Sequence, residues 1–337
     1  MSSPIRIAVL GVGRIGKMHA EIIARQVPGA VLAMVQDVNG DAAAAVGTEL
    51  GVPHTTDAAA VFASADVDAV AICSSTDTHA QLLIDAAAAG KTIFCEKPVS
   101  LDLATVDAAL AAVAAAGVKL QIGFNRRFDP AHKSVRDAVV SGAIGDVHIV
   151  RITSRDPAPP PVSYVKVSGG LFNDMMIHDF DMARYVTGSD VVDVYAVGAV
   201  RVDPAIGEAG DIDTAVVTLR HENGAITTID NSRQAVYGYD QRVEAFGSKG
   251  LAASENPASH SGVQRTAAGT TTPTIPYFFL DRYVPSYVAE WKAFVEYASG
   301  TGPSPVDAAS GRAPLVIGLA AKKSMLEGRP VRCDEIG

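Results

Sequence analysis

Short, nearly continuous apolar runs alternate with longer amphipathic stretches through the first third of the chain. Ile5–Leu10 reads as a strand buried on both faces, because no polar residue alternates regularly through it. Lys17–Val27 has helical periodicity and is closed by Pro28 and Gly29. The pattern then predicts strands at Val31–Gln36, Val52–Thr55, Ala69–Cys73, Thr92–Cys95 and Val118–Ile122. Between them it predicts helices at Asp41–Leu50, Asp57–Ser64, Ala80–Ala89 and Leu103–Ala116, with Gly90 and Gly117 as stops. Strand and helix in strict alternation imply a parallel sheet with helices on its faces, an α/β fold.

After Gly123 the period changes. One helix, Ala131–Ser141, is followed by alternating strand-like segments at Val147–Ser154, Val191–Val202, Thr214–Arg220, Ala225–Asn231 and Arg242–Phe246. Glu222-Asn223-Gly224 and Gly247-Ser248-Lys249-Gly250 have hairpin-turn chemistry. Gly262–Pro276 reads as an exposed hairpin or flexible loop, and Tyr283–Ser299 and Asp307–Leu326 as terminal helices. The expected organisation is therefore a Rossmann-type domain over residues 1–124 and an α+β domain over 125–337, the latter built on a mainly antiparallel sheet. Such a sheet has one face to bury, and association with other copies of the chain is expected to do so.

The stretch Ser168–Arg184, SGGLFNDMMIHDFDMAR, is expected to be helical. Asp174 and His178 lie four apart, which on a helix stacks them on one face. A carboxylate beside an imidazole can orient the ring and let it accept a proton. The plain alternative is a solvated helix face that carries several aspartates and one histidine.

Composition narrows the classes. The chain has 337 residues, 48% of them apolar and 19% charged, with a formal net charge of −9. That describes a globular protein in two domains, and the acidity disfavours nucleic acid and anionic membranes as partners. Cys73, Cys95 and Cys333 fit neither a disulfide framework nor a zinc pattern. No metal is expected. With no basic leader or apolar span in view, a cytoplasmic location is the default.

Gly11-Val12-Gly13-Arg14-Ile15-Gly16 follows the first strand at once, and Asp37 lies about twenty residues beyond, at the end of the second strand. This is the spacing of a dinucleotide site: Gly11 for the turn, Gly13 for close approach of a pyrophosphate, Gly16 for helix–strand packing. Asp37 can accept hydrogen bonds from a ribose diol and would repel a 2′-phosphate, so NAD is expected over NADP. Ser74-Ser75-Thr76-Asp77-Thr78-His79 reads as a polar loop at a strand's carboxyl end, near the cofactor, with His79 starting or capping the next helix. Glu96-Lys97-Pro98 closes another strand. There an ammonium can donate to a substrate oxygen, or the pair is an ordinary surface ion pair.

Taken together, GVGRIG at Gly11–Gly16, EKP at Glu96–Pro98, NRRFDP at Asn125–Pro130, RDPAPPP at Arg155–Pro161, the Ser168–Arg184 stretch, DNSRQAVYGYDQRVEAFG at Asp230–Gly247 and the DRY of Asp281–Tyr283 resemble the Gfo/Idh/MocA oxidoreductases, and among them the bacterial inositol 2-dehydrogenases. The resemblance covers nearly the whole chain. It implies NAD-dependent oxidation of an inositol hydroxyl to the inosose ketone, with Lys97, Asp174 and His178 as the catalytic set. It further implies cofactor contacts from Gly11, Gly13, Arg14, Ile15, Gly16, Asp37, Ser74, Thr76, His79, Glu96 and Lys97. Substrate contacts implied are Lys97, Arg127, Asp156, Asp174, His178, Tyr237 and Tyr283, and the implied assembly is a homotetramer. Two other readings stay open: a dehydrogenase of another cyclic polyol or an aldose, and a dinucleotide-binding regulator without turnover. The regulator has no need of Lys97, Asp174 and His178 together.

Overall fold

The computed structural model describes residues 3–300 and 302–337. The chain divides into two units, residues 1–125 with 287–313, and residues 126–286 with 314–337. Residues 287–313, expected in the second domain, therefore belong to the first.

The first unit is a six-stranded parallel sheet of β1 (Ile5–Leu10), β2 (Ala30–Gln36), β3 (His54–Thr55), β4 (Ala69–Ile72), β5 (Thr92–Glu96) and β6 (Leu120–Gly123), in the order β3-β2-β1-β4-β5-β6. Strands β1, β4 and β5 are buried because helices cover both faces of the sheet, which is why they read as unbroken apolar runs. Strand order reverses between β1 and β4, so their carboxyl ends, Gly11 and Ser74, flank the crevice where such sheets take ligands. Residues 287–313 dock here for two reasons. Trp291 and Phe294 are fully buried and pack on Phe94, at ring separations of 4.6 and 5.9 Å. The outer edge of β6 is also covered, Ile122 N donating to Val306 O at 3.0 Å, so the edge is not left open.

One helix begins earlier than expected. Thr76–Ala88 is helical, so most of the supposed loop Ser74–His79 is the first turn, with Ser75 as N-cap residue. The small polar residues that look like a loop in sequence are those a helix N-terminus also favours.

The second unit holds a seven-stranded sheet: β7 (Val147–Arg155), β8 (Val191–Ala199), β9 (Thr214–His221), β10 (Ile226–Ser232), β11 (Asp240–Gly247) and β12 (Gly250–Ser254), then an exposed hairpin apart from it, β13 (Gln264–Thr266) and β14 (Gly269–Thr271), and last β15 (Val331–Arg332). Sheet order is β12-β11-β7-β10-β9-β8-β15. All its pairs are antiparallel except β7 with β10, so the sheet is mixed, with one parallel pair at its centre. Helices Pro130–Val140 and Ile177–Thr187 pack on one face, where Val150, Ile152, Phe180, Val217, Ile229 and Val243 form the core.

The expected single helix over Ser168–Arg184 is broken. Leu171–Met175 forms a wider π-type turn, and the α-helix runs from Ile177 to Thr187. Gly170 precedes the turn at φ 77°, a conformation that favours glycine, and Asp211 accepts from Leu171 N at 3.0 Å. No residue between 171 and 176 is a helix breaker, so the pattern concealed the joint.

Candidate active site

In the first unit the glycines do what a dinucleotide requires. Gly11 has φ 82°, and a Cβ there would stand 2.4 Å from Ser74 Cα. A Cβ on Gly16 would lie 1.8 Å from Gly11 O, so turn and helix meet at backbone distance. At Gly13 a Cβ would meet nothing within 4 Å, which is the open approach a phosphate needs at the start of helix Arg14–Gln26. Arg14 is exposed and Ile15 half-buried in that first turn. Asp37 is held by two backbone donors, Val12 N to Oδ2 at 2.8 Å and Asn39 N to Oδ1 at 2.9 Å. Each carboxylate oxygen keeps a lone pair for a ribose hydroxyl. The residues present fit NAD.

Along the same carboxyl edge, Ser74 Oγ and Thr78 Oγ1 are 2.6 Å apart, and Thr76 opens the helix. His79 is 2% exposed, with Nδ1 2.8 Å from Pro98 O and Nε2 3.0 Å from Ser74 O. It is thus a support of the cofactor face and not a ring presented to a ligand. Glu96 is similarly engaged, Oε1 with His19 Nε2 at 2.8 Å and Oε2 with Lys97 N at 3.2 Å. Lys97 follows at the end of β5, half-buried.

In the second unit Asp174 lies in the π-type turn. Its Oδ1 accepts from Tyr164 Oη at 2.8 Å and its Oδ2 from Arg233 Nη2 at 3.3 Å. Arg233 is 1% exposed and also lies 3.9 Å from Asp211, so one buried cation serves both carboxylates around this turn. Tyr164 and Arg233 carried no role in the sequence reading. The only signal was that Arg233 sits inside the Asp230–Gly247 motif. His178 is half-buried in the first turn of the following helix.

That helix sorts its charges. Asp179 is fully buried and accepts from Arg126 Nη1 at 2.7 Å and Asn231 Nδ2 at 2.9 Å. Asp181 is 1% exposed and takes Arg127 Nε at 2.8 Å and Nη2 at 2.5 Å. Arg127, expected to face substrate, grips this buried carboxylate and stacks on Tyr185 at 5.3 Å. Tyr283, expected likewise, is 2% exposed with its hydroxyl 3.2 Å from His132 Nε2, and burial pushes it up to about 12. Both are built into the scaffold of this unit. Tyr237 is about half exposed, donating to Asp240 at 2.6 Å while Arg155 donates to it at 3.1 Å. Asp156 follows β7, and burial pushes its carboxyl up to about 6, against the pull of Arg233 and Arg126. Burial also raises Asp179, despite its Arg126 partner.

Comparison with known proteins decides the family. Residues 5–124 match the oxidoreductase family described as an NAD-binding Rossmann fold, and residues 132–253 match the GFO/IDH/MocA C-terminal domain. The chain belongs to the Gfo/Idh/MocA oxidoreductases. It is 48% identical over 98% of its length, and 99% of the relative's, to a myo-inositol 2-dehydrogenase of Thermotoga maritima. It is 46% identical to an inositol 2-dehydrogenase of Rhizobium meliloti, covering 97% of this chain and 98% of that one. Among solved structures, a scyllo-inositol dehydrogenase from Lactobacillus casei with bound NAD(H) and scyllo-inositol superposes with a TM-score of 0.92 at 30% identity, covering 98% of this chain and 100% of that one.

This oxidoreductase binds NAD, and the unit that does so is the first, whose residues 5–124 match the NAD-binding Rossmann fold. The fold expected from the motifs, a Rossmann sheet followed by a sheet-based second domain, is the one present. Among the described residues no helix is long and apolar enough to cross a membrane.

Proposed function

We propose that the protein oxidises a secondary hydroxyl of an inositol to the corresponding inosose ketone. The observation that carries this reading is identity along nearly the full chain to proteins named inositol 2-dehydrogenases. The residues support it. Bound NAD supplies the chemistry of hydride acceptance. His178 takes the hydroxyl proton, which leaves the oxygen's electron pair to form the carbonyl. Asp174, itself held by Tyr164 and Arg233, stabilises the imidazolium. The Lys97 ammonium donates to the oxygen on which charge develops. Asp156 and Tyr237 are assigned to the remaining hydroxyls, and Arg127 and Tyr283 to the scaffold. The test is reduction of NAD by the purified protein with a panel of inositols and hexoses. An inositol is expected to outperform every hexose in kcat/KM. A tenfold advantage for glucose over every inositol would transfer the proposal to an aldose, and no reduction with any polyol would favour a regulator.

We also propose a homotetramer in the cytoplasm. Four exposed apolar side chains lie in one row across the uncovered face of the second sheet: Leu251, Phe246, Ile149 and Ile226, adjacent in register. Val197 and Val216 pair on the same sheet and are also exposed. Such a surface suits a second copy of the chain. Light scattering is expected to give four chains, and Phe246→Glu to dissociate them; a monomeric wild-type protein would refute this.

A further inference from the structure

Trp291 is the only tryptophan in the chain, and its indole N–H points at a histidine. An indole nitrogen can only donate. Trp291 Nε1 lies 2.8 Å from His19 Nδ1, so Nδ1 must present a lone pair and the ring proton must sit on Nε2. That nitrogen is 2.8 Å from Glu96 Oε1. The tautomer of His19 is thereby fixed by its neighbours, as a neutral donor to a carboxylate. The ring cannot turn away. It is fully buried and boxed edge-on by Phe94, Tyr287 and Trp291 at 5.4, 5.3 and 5.6 Å.

Glu96 passes this restraint on. Its other oxygen accepts from Lys97 N at 3.2 Å, and its carboxylate is wedged over Gly123, where a Cβ would come 3.0 Å from Glu96 Cδ. Beyond Lys97, Pro98 O lies against His79 Nδ1 at 2.8 Å. The backbone around Lys97 is thus held on one side by the half-buried Glu96 carboxylate and on the other by the buried His79 ring, neither of which reaches its ammonium through these bonds.

We infer that Trp291 and His19 are positioning residues for Lys97: they hold Glu96 in one orientation and so set where the lysine side chain starts. The inference rests on the role proposed for Lys97, and its first readout does not. Nothing in the sequence motif pairs a histidine at the end of the first helical turns with a tryptophan 272 residues away.

The test uses full-length Trp291→Phe, which keeps an aromatic ring and removes the N–H, together with His19→Gln and His19→Leu. Gln retains a donor near the position of Nε2; Leu does not. Nitrogen-15 imidazole shifts of His19 are expected to show the Nε2–H tautomer alone in the wild type and a mixture in Trp291→Phe. With myo-inositol, Trp291→Phe and His19→Leu are expected to lose at least tenfold in kcat with the Kd for NAD unchanged, and His19→Gln to recover most of the loss. An Nδ1–H tautomer in the wild type would overturn the relay whatever the substrate proves to be. So would a kcat within twofold of wild type in folded His19→Leu, or His19→Gln as poor as His19→Leu. Should wild type turn over no polyol, the function proposal fails while the tautomer readout still decides the relay.

Discussion

Replacing Asp179 by Ala tests how the central helix divides its charges between scaffold and chemistry. Asp179 is fully buried and carries two side-chain hydrogen bonds, from Arg126 at 2.7 Å and Asn231 at 2.9 Å. Its loss leaves the Arg126 guanidinium, 5% exposed, with the neutral Ser154 at 3.2 Å and Tyr239 at 3.4 Å as hydrogen-bond partners and the Asp156 carboxyl as the remaining acid that acts on it. Stranding a buried charge costs about 3–5 kcal/mol. For a cooperative unit of 150–250 residues each kcal/mol moves Tm by about 2–4 °C, so a drop of roughly 6–20 °C is expected. The cost belongs to the uncompensated charge and not to the pair. Burial raises the Asp179 pKa even beside Arg126, which means that desolvation outweighs the attraction. The double variant Arg126→Met/Asp179→Leu is therefore expected to melt well above Asp179→Ala. Calorimetry gives Tm, and NAD reduction by the folded fraction gives kcat. A Tm shift below about 2 °C would refute the reasoning, as would a kcat loss in the folded variant matching that expected below for His178→Ala.

Other expectations follow from the same geometry. Asp37→Ser should weaken NAD and narrow its advantage over NADP, since it relieves repulsion of a 2′-phosphate while losing a charged acceptor; equal affinities in the wild type would contradict the role of Asp37. Lys97→Ala should remain folded and bind NAD but lose roughly 10²–10³-fold in kcat, the usual cost of one donor to a developing oxyanion, and an unfolded or fully active variant would contradict it. Asp156 has a folded pKa of about 6, above its ordinary value, so its ionised form costs stability at high pH and the cost is relieved as pH falls. Asp156→Asn should accordingly raise Tm at pH 8, lose that gain near pH 4, and raise KM for the polyol; an equal Tm gain at both pH values would show another cause.

Much of the first unit was legible because each βα step there is local. An apolar run, a glycine turn and an acid about twenty residues on identify a dinucleotide site without tertiary information. The errors arose where local chemistry is ambiguous or partners are distant. Ser75 and Thr76 suit a loop and a helix start equally, so the pattern does not show that the helix containing His79 begins at Thr76. The apolar face of Tyr283–Ser299 shows that the helix is buried but not what it packs on, and Trp291 turns out to serve the first unit. The π-type turn at Leu171–Met175 depends on Asp211, 40 residues away. The side chains that hold the Asp174 carboxylate, Tyr164 and Arg233, come from 10 and 59 residues away, beyond the reach of a helical pattern. Asp179 and Asp181 looked like more polar surface in the pattern, and only their arginine partners show that they are interior.

The most direct measurement is the kcat of His178→Ala with NAD and an inositol deuterated at the oxidised carbon, since a primary isotope effect confirms that hydride transfer limits the rate. If His178 is the base, kcat should fall by roughly 10²–10⁴-fold, the usual contribution of general-base catalysis, with the Kd for NAD unchanged. Wild-type oxidation should quicken as pH rises, because only neutral imidazole accepts the proton, and the variant should lose that dependence. A variant that keeps more than about a third of wild-type kcat, far above that range, with the isotope effect intact, would contradict the account.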